Sequence, residues 1–554
     1  MTRSPRLALL SIDPATNDPS VAHLAFSYGI RRLEASVRSC PTLQDVETQV
    51  IDLRTAEPEA FMAELEAFRP TMIGASLYVW SMKPFWEIAA RVKAWDASIP
   101  FIAGGPNARL SVFRLPHYRP MASVLDAIVQ GEGEGVIREL VQAHRDGDWK
   151  TAPGLFVSDG KNFHGTGPVE RPDLNAYPSP YHLSLAPRGT TGYLETFRGC
   201  PINCTFCQWG AERADRVFSV PYLVRQLEGL RDADVPHVLC CDAGLNLNPR
   251  AFRNLLAAEA QVGFLRQVPF DGHLYPTFLT DEHLSLITQF GRAEMKIGIQ
   301  SFNAQVLRRL GRPFDIERFE RVLRVLREHI RIDLELMIGL PGDTPESFRE
   351  TFHRAIELGD TVRVFRTLVL PDALLDRADP SMQLDFDPET FLMRSCAGWS
   401  EEQLARELDH VAEVARTHSK PSVTDTYVEF ATYHSDVPHR PGQARIDLPA
   451  ERGVVPVEVE IVERLRMAVD AGVQGWSLRV VRNQVDGVYF DLDMPGGRIS
   501  LHASRRRDGA RYFEDRDGVA YVHRGPVERE QTVALRHVID LVHGDARRLV
   551  TEGG

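Results

Sequence analysis

Short apolar segments alternate with amphipathic segments along the first 140 residues of the chain. Each apolar segment ends in small or polar residues, and the five are LALLSI (7–12), TQVIDL (48–53), TMIGASLY (71–78), PFIAGG (100–105) and AIVQG (127–131). The segments between them carry apolar residues at the 3.6-residue period of a helix. This alternation predicts a parallel sheet built from βαβ units, which binds ligands at the carboxyl ends of its strands.

The alternation of strands and helices returns after a break in composition. Residues 151–189 are rich in Gly, Pro, Asn and Asp, which predicts an extended linker after a first domain over 1–150. Over residues 190–385 we expect a partial (β/α)6 barrel, with strands at TGYLETF, HVLCCDA, QVPFDG, EMKIGIQS, IDLELMIGL and VRVFRTLVL. Residues 386–554 are predicted to form a C-terminal α+β module that includes a hairpin at 494–503, with substrate binding or lid closure as candidate roles.

Charge and cysteine content narrow the class of protein. With 64 Lys and Arg against 76 Asp and Glu, the net charge of −12 disfavours nucleic acid and anionic membranes as partners. The sequence has no run near the ~18 apolar residues of a membrane helix, and the five-residue apolar run near its N-terminus is too short for us to expect a signal peptide. Seven cysteines, three of them clustered, do not resemble a secreted disulfide framework. We therefore expect a cytoplasmic protein without a nucleic-acid or membrane partner.

Three cysteines follow the first predicted barrel strand on one loop, RGCPINCTFCQWG, as Cys200, Cys204 and Cys207. Such a loop can surround one 4Fe-4S cluster and leave its fourth iron open to a ligand that binds through nitrogen and oxygen. A structural zinc site needs four ligands, and the neighbouring sequence offers no fourth Cys or His at a usual spacing. The other cysteines are expected to be small buried residues, and they are Cys40, Cys240, Cys241 and Cys396.

The cysteine spacing, with Phe206 before the third cysteine, resembles the CxxxCxxC motif of the radical S-adenosylmethionine superfamily. MKIGIQSFN (295–303), MIGLPGDT (337–344) and VLPD (369–372) resemble later strands of that family's barrel in the same order. The resemblance covers roughly residues 190–375. It implies a 4Fe-4S cluster and S-adenosylmethionine as cofactors, and an enzyme that starts radical chemistry.

The resemblance also implies residues that bind S-adenosylmethionine. They are Phe206, Asp242, His273, Gln300, Arg312 and Glu335. Gln300, Arg312 and Glu335 align with positions that contact the ribose or the methionine carboxylate in similar enzymes, whereas the alternative is a set of polar surface residues at strand ends. His273 stands where relatives often carry an acid, and Asp242 is either part of the same site or a helix cap.

A second resemblance is to the cobalamin-binding domains that precede this type of barrel, carried by AGGPNA (103–108) and VQGEGEGVIREL (129–140). It implies a Rossmann-like (flavodoxin-like) domain over 1–150. Its cobalamin-binding residues are expected to be Ser76, Tyr78, Trp80, Gly104, Gly105, Gly131 and Glu132. The glycines allow a close backbone approach, and Glu132 and Glu134 are favourable charges at a helix N-terminus. The DxHxxG motif is absent, so we expect base-off cobalamin without an axial histidine.

The order of cobalamin domain, cluster barrel and C-terminal module is similar to the cobalamin-dependent (class B) radical S-adenosylmethionine methylases. This implies methyl transfer to an unactivated carbon of a small-molecule or peptide substrate of secondary metabolism, with an external electron donor such as flavodoxin or ferredoxin. The alternatives are a radical cyclase or ring-rearranging enzyme without methyl transfer, and a non-catalytic iron-sulfur protein. The sequence identifies no catalytic side chain.

Overall fold

Two parallel sheets flanked by helices form most of the described chain. The computed structural model describes residues 5–12, 26–53, 56–169, 173–211, 216–287, 289–290, 292–327 and 330–432, and six strands between 444 and 522. The α/β fold class predicted from the sequence is confirmed. Among the described residues, no helix combines the length and apolar character needed to cross a bilayer.

The first sheet has the strand order β2-β1-β3-β4-β5-β6-β7. Its strands are β1 Arg6–Ile12, β2 Glu47–Leu53, β3 Met72–Ser76, β4 Phe101–Gly104, β5 Ala127–Val129, β6 Leu155–Ser158 and β7 Phe163–Gly165. Its helices are α1 Tyr28–Ser39, α2 Pro58–Phe68, α3 Met82–Trp95, α4 Leu110–Arg114 and α5 Gly133–Arg145. Strands β1 to β5 are parallel, and the order 2-1-3-4-5 is that of a flavodoxin-like sheet, which binds ligands at the carboxyl ends of β1 and β3.

The second sheet contains six parallel strands in the order β15-β14-β13-β12-β11-β8, and two antiparallel strands, β19 Tyr427–Ala431 and then β18 Ser419–Val423, extend it beyond β15. The parallel strands are β8 Gly192–Leu194, β11 Val238–Cys240, β12 Pro269–His273, β13 Arg292–Gln300, β14 Arg331–Ile338 and β15 Thr361–Arg366. Two short strands, β9 Phe197–Arg198 and β10 Arg216–Val217, pair beside the cysteine loop. All six predicted barrel strands are therefore present.

Helices cover the outer face of this barrel. They are α6 Val220–Asp232, α7 Pro249–Val262, α8 Asp281–Ile287, α9 Ala304–Arg309, α10 Ile316–Arg327, α11 Pro345–Leu358 and α12 Leu374–Arg377. Helix α7 begins at Pro249, where Asn248 accepts hydrogen bonds from two backbone amides, and it ends before Gly263, whose φ of 65° suits a residue without a side chain.

Alternation along the central strands separates an apolar outer face from a polar interior. On β13 the side chains of Met295, Ile297 and Ile299 are buried in the hydrophobic core. On β14 the intervening position Glu335 forms an ion pair with Arg363 of β15, at 3.7 Å. Because successive side chains of a strand point to opposite faces, the charged residues line the interior of the barrel.

The domain boundaries differ from those predicted. Strands β6 and β7 lie within the predicted linker, yet they add to the first sheet in antiparallel fashion through pairs such as Ile128 with Phe156. The predicted C-terminal module also begins too early, because β19 Tyr427–Ala431 pairs with β15 and joins the barrel sheet. The other elements here are β16 Asp385–Phe386, β17 Met393–Ser395, α13 Glu401–Arg416 and β18 Ser419–Val423.

Six further strands lie in the C-terminal part of the chain. They are β20 Ala444–Asp447, β21 Ser477–Asn483, β22 Gly487–Met494, β23 Gly497–Arg505, β24 Arg511–Tyr512 and β25 Val519–Val522. Strands β22 and β23 pair in antiparallel register from Gly487–Ser504 to Met494–Gly497, which confirms the predicted hairpin. The final helix predicted after this hairpin lies outside the described residues.

Buried ion pairs join the two units. Arg32 of α1 donates to Glu134 of α5 at 2.9 Å, and Arg198, which lies just before the cysteine loop, approaches the same carboxylate at 2.5 Å. Arg32 also donates to the hydroxyl of Tyr222, at 2.8 Å. Burial raises the pKa of Glu134, but the charges of Arg198 and Arg32 outweigh it and hold that pKa well below its usual value. Glu134 is therefore an ionised link between the units as well as a helix N-terminal charge.

We expect the substitution Arg32→Gln to destabilise the protein by about 3–5 kcal/mol, because it leaves part of the Glu134 charge buried without compensation. Thermal unfolding followed by calorimetry measures this effect as a lower melting temperature. Arg6→Gln is the matched control, because Arg6 is only half-buried and its partner Glu47 is exposed. Equal melting temperatures for the two variants would contradict a structural role of the buried network.

Candidate cofactor site

One cavity of about 750 Å³ lies between the carboxyl ends of the two sheets. The cavity is lined by the three cysteines of the loop and by every residue predicted from the sequence to bind S-adenosylmethionine or cobalamin. The first sheet contributes residues from β1, β3, β4 and β5, and the barrel contributes the cysteine loop and the ends of β11 to β14. Positions far apart in the sequence therefore meet in one space that both units enclose.

The cysteine loop is anchored to the barrel by its backbone. The amide of Thr205 donates to the carbonyl of Leu310 at 2.9 Å, and the guanidinium of Arg377 donates to the carbonyl of Cys207. A side chain at Gly311 would approach the carbonyl oxygen of Asn203 to 2.8 Å, and the φ of Gly311 is 70°. The close contact and the backbone conformation both require glycine at this position.

The three sulfurs of the loop lie at the wall of the cavity. Burial raises the pKa of the Cys200 thiol to about 11 and also raises that of Cys207. Metal coordination reverses this preference, because a coordinated thiol loses its proton. Within the described part of the chain, no three His, Cys, Asp or Glu side chains are grouped closely enough for a single metal ion. The thiolates of an iron-sulfur cluster bind different irons and have a wider spacing.

Gln300 and Arg312 lie beside the cysteine loop. The pairing of β13 with β14 shifts between Gly298 and Gln300, and Gln300 has a φ of 69°, a left-handed value that is uncommon for a residue with a side chain. Arg312 Nη1 donates to the sulfur of Cys204 at 3.7 Å, and Nη2 donates to the carbonyl of Gly298. Its guanidinium also lies 4.9 Å from the ring centre of Tyr275. Arg312 thus connects the cysteine loop to the irregular end of β13.

His273 and Glu335 face each other across the end of the barrel. His273 Nε2 lies 3.3 Å from a carboxylate oxygen of Glu335, which also pairs with Arg363. Burial raises the pKa of Glu335, but His273 and then Arg363 outweigh burial and hold that pKa at about 2. Glu335 is therefore an ionised acceptor at the wall of the cavity.

Asp242 holds the turn that leads into the cysteine loop. Its carboxylate accepts hydrogen bonds from the amides of Thr196 and Phe197, at 2.8 and 3.4 Å, and from the hydroxyl of Thr196. It is only 2% exposed, and burial raises its pKa to about 7 despite the bonds from Thr196. These contacts are not those of a helix cap, because Asp242 reaches back to the segment after β8.

Three of the residues predicted to bind cobalamin form what we call the glycine edge, namely Gly104, Gly105 and Gly131 at the ends of β4 and β5. A side chain at Gly105 would approach the carbonyl oxygen of Leu77 to 2.8 Å, and the φ of Gly105 is 94°. The first side-chain carbon at Gly104 would have no neighbour closer than 4.0 Å. Gly105 therefore meets a backbone requirement, whereas Gly104 leaves space at the wall of the cavity.

Tyr78 and Trp80 stack on each other after β3, with ring centres 4.5 Å apart and planes inclined by 10°. The indole of Trp80 donates to the carbonyl of Ile12 at the end of β1, at 3.2 Å, while 42% of the residue is exposed. Ser76 lies nearby, because its hydroxyl is within 3.1 Å of the side-chain position at Gly105. The pair gives the cavity an aromatic wall at the switch point of the sheet.

The cavity suits the three groups that the sequence implies. Three thiols suit an iron-sulfur cluster, and the open space at Gly104 suits a large planar ligand. Gln300 Oε1 is buried and has no hydrogen-bond donor among the described residues, so it suits a ligand with hydroxyl or amino groups.

Sequence reasoning missed the charged residues that flank the cysteine motif. Glu195 and Arg198 pair with each other at 2.8 Å and line the cavity, and Arg198 also pairs with Glu132 at 3.3 Å. Glu132 in turn pairs with Arg216, at 2.9 Å. The sequence did contain an indication of their importance, because Glu195 and Arg198 are two charged residues at the end of a mostly apolar predicted strand.

Two family models match the chain. Residues 26–141 match the B12 binding domain, and residues 194–355 match the Radical SAM superfamily. The matches fall on the two units that line the cavity, so both resemblances stated from the sequence are confirmed.

Two curated relatives and a solved structure are similar to this chain. A 2-(S-pantetheinyl)-carbapenam-3-carboxylate methyltransferase of Streptantibioticus cattleyicolor is 28% identical over 332 residues, which are 55% of this chain and 48% of that protein. The cobalamin-dependent radical SAM methyltransferase TokK of Streptomyces tokunonensis is 28% identical over 334 residues, with the same two coverages. The chain thus spans about half the length of the curated relatives it matches.

A solved structure of the radical S-adenosylmethionine methyltransferase TsrM of Kitasatospora setae, with cobalamin and a 4Fe-4S cluster bound, has the same fold. It aligns with a TM-score of 0.57 at 16% identity, and the alignment covers 79% of this chain and 94% of that chain.

We expect Asp242→Asn to change the pH dependence of stability. The Asp242 pKa rises from 3.8 to about 7 on folding, so its ionisation lowers the free energy of unfolding progressively as the pH rises between these values. Asparagine keeps the acceptor for Thr196 without this charge. The melting temperature of the variant relative to the wild type should therefore increase between about pH 4 and about pH 7 and stay constant at higher pH. A constant difference would show that Asp242 does not titrate in this range.

We expect Gly104→Val to remove cobalamin without unfolding the protein, because the valine methyl groups would occupy open space at the cavity wall. Absorbance of cobalamin retained after gel filtration measures the effect. Gly147→Val is the control, since Gly147 also has no atom within 4 Å of its side-chain position but does not line the cavity. Because Gly147 has a φ of 95°, its variant also shows the effect of backbone strain on folding. Full cobalamin retention by the Gly104 variant would contradict this placement.

Proposed function

Because the chain joins a B12-binding domain to a radical SAM domain, we propose that it is a cobalamin-dependent radical SAM methyltransferase. The proposed reaction transfers a methyl group to an unactivated carbon of a small molecule or peptide in a natural-product pathway. The observation that carries the proposal is the single cavity lined by the cysteine loop, the barrel strand ends and the glycine edge. The names of both curated relatives favour methyl transfer over cyclisation or ring rearrangement.

Each wall of the cavity has a proposed cofactor. Cys200, Cys204 and Cys207 hold the 4Fe-4S cluster, and the glycine edge holds cobalamin together with Ser76, Tyr78, Trp80 and Glu132. When bound, the cofactors supply hydrogen abstraction by a radical and methyl transfer, which no protein side chain supplies. The protein contributes position, because it keeps the reacting groups adjacent and limits the access of water.

The barrel strand ends are proposed to bind S-adenosylmethionine. The ionised carboxylate of Glu335 accepts hydrogen bonds from hydroxyl or amino groups, and His273 holds that carboxylate in place. Gln300 Oε1 is available as a further acceptor. Arg312 donates to the Cys204 sulfur and so places a positive charge beside the proposed cluster. Phe206 lines the same wall and is 8% exposed.

The partners are part of the proposal. The substrate is a small molecule or peptide, and an external one-electron donor such as flavodoxin or ferredoxin reduces the cluster. The proposed location is the cytoplasm, where such donors and free thiols are maintained.

We expect the anaerobically reconstituted and reduced wild-type protein to cleave S-adenosylmethionine to 5′-deoxyadenosine and to methylate its substrate. Mass spectrometry of candidate natural-product intermediates, with S-adenosylmethionine deuterated at the methyl group, identifies the product by a gain of about 14 mass units plus the label. Cys204→Ala should abolish both products, because it removes one cluster ligand. Gly104→Val should keep 5′-deoxyadenosine formation and lose methylation. A product that carries no label, or wild-type protein that forms no 5′-deoxyadenosine, would contradict the proposal.

A further inference from the structure

A second, larger cavity lies next to the cofactor cavity. Its volume is about 1650 Å³, and it shares wall residues with the cofactor cavity, among them Tyr78, Gly131, Arg198 and Trp209. A ligand in the second cavity therefore lies beside the place where the glycine edge and the cysteine loop meet. Phe365, which precedes the last residue of β15, lies on its barrel side.

Arg366, the last residue of β15, differs from the other cations of this second cavity in its ion pairing. The other cations of its wall, Lys83, Arg109, Arg198 and Arg216, each have a carboxylate oxygen within 4.0 Å. Arg366 has no such partner among the described residues. Its Nη1 donates to the backbone carbonyl of Asp425 at 3.1 Å, and the carboxylate of Asp425 lies beyond ion-pair distance.

The position of Arg366 makes this missing partner significant. The residue is partly buried, and burial lowers its pKa although the charge of Asp425 acts in the opposite direction. A guanidinium that loses water without gaining a carboxylate is destabilised, and an anionic ligand would compensate for that loss. Arg366 also stands at the carboxyl end of a barrel strand, where barrels of this type place residues that bind substrates.

The remaining wall indicates which anion would bind. Five acidic residues line the second cavity, namely Glu132, Glu195, Asp372, Glu389 and Asp425, and they balance its five cations. Because the other four cations already have carboxylate partners, Arg366 can match a ligand with one negative charge, whereas a dianionic phosphate would exceed the charge of one guanidinium. The planar, forked guanidinium matches a carboxylate through two parallel hydrogen bonds. Leu368, Leu370 and Leu392 supply an apolar surface for the rest of the ligand.

We propose that the second cavity binds the substrate and that Arg366 pairs with a carboxylate group on it. The substrate is thus an organic acid with an apolar body, oriented with its carboxylate toward the end of β15 and its reacting carbon toward the shared wall. Naming this ligand as the substrate rests on the proposed methyltransferase function, whereas binding of a carboxylate by Arg366 does not.

Binding of small probes tests the proposal without turnover. The probes are hexanoate, hexanamide and hexyl phosphate, and their binding to the oxidised, reconstituted protein is measured by saturation-transfer NMR. We expect hexanoate to bind at least about tenfold more tightly than hexanamide, because only the acid forms charged hydrogen bonds with Arg366. Equal affinity for the acid and the amide, tighter binding of hexyl phosphate, or no binding of hexanoate would overturn the proposal.

Variants localise this binding to Arg366. Arg366→Gln should lower hexanoate affinity about tenfold or more, and Arg366→Lys should keep part of it, because lysine retains the charge without the planar fork. Lys83→Gln is the matched control, since it removes a paired cation from the same wall. Unchanged hexanoate affinity in Arg366→Gln, with cobalamin content equal to that of the wild type, would overturn the proposal.

The comparison of hexanoate with hexanamide on the wild-type protein needs no variant, so a variant that fails to fold does not block the test. If the wild-type protein binds hexanoate through Arg366 but methylates no substrate, the proposed methyltransferase function is wrong and carboxylate binding by Arg366 still stands.

Discussion

The cofactor cavity depends on charges buried where two units meet. Arg32, Glu134 and Arg198 are removed from water at this contact, and such groups are tolerated only while each keeps its partner at close range. Their pairing fixes α1 and α5 against the strand that leads into the cysteine loop. Since Arg198 is two residues before Cys200, the ion pairs that join the units also position the first sulfur.

Inside the barrel, positively charged side chains lie next to the carboxylate of Glu335 and next to the cysteine loop. Arg363 and His273 flank Glu335, so this carboxylate stays ionised despite deep burial. Arg312 brings a positive charge to the sulfur side of the same interior. The interior therefore runs from the cysteine thiols, past cations, to the carboxylate of Glu335, while the outward side chains of β13, such as Ile297 and Ile299, are buried in the hydrophobic core.

The sequence was sufficient for the elements whose hydrophobic pattern is local. Strands β1 to β5 of the first sheet and the six barrel strands were predicted because each is a short apolar run, and the cysteine loop was predicted because its three cysteines are close in sequence. The position of β6 and β7 was not predictable in this way, since their Gly-rich and polar surroundings resemble a linker. The pairing of Arg198 with Glu134 joins residues 64 positions apart, and no periodicity reports such a contact. The sequence does not distinguish Arg366 from other arginines at strand ends. The distinction appears only in the structure, where the other cations of the second cavity have carboxylate partners.

The ion pairs of Arg198 limit how independently the two halves of the protein can change. Arg198 belongs to the barrel, but two of its carboxylate partners, Glu132 and Glu134, belong to the first sheet and its helix. In a chimera of this barrel with a different N-terminal half, the buried guanidinium of Arg198 would keep only Glu195 as a partner unless the new half carried acids at the positions of Glu132 and Glu134. The two halves are therefore constrained to diverge together, and grafting experiments should exchange them as one piece.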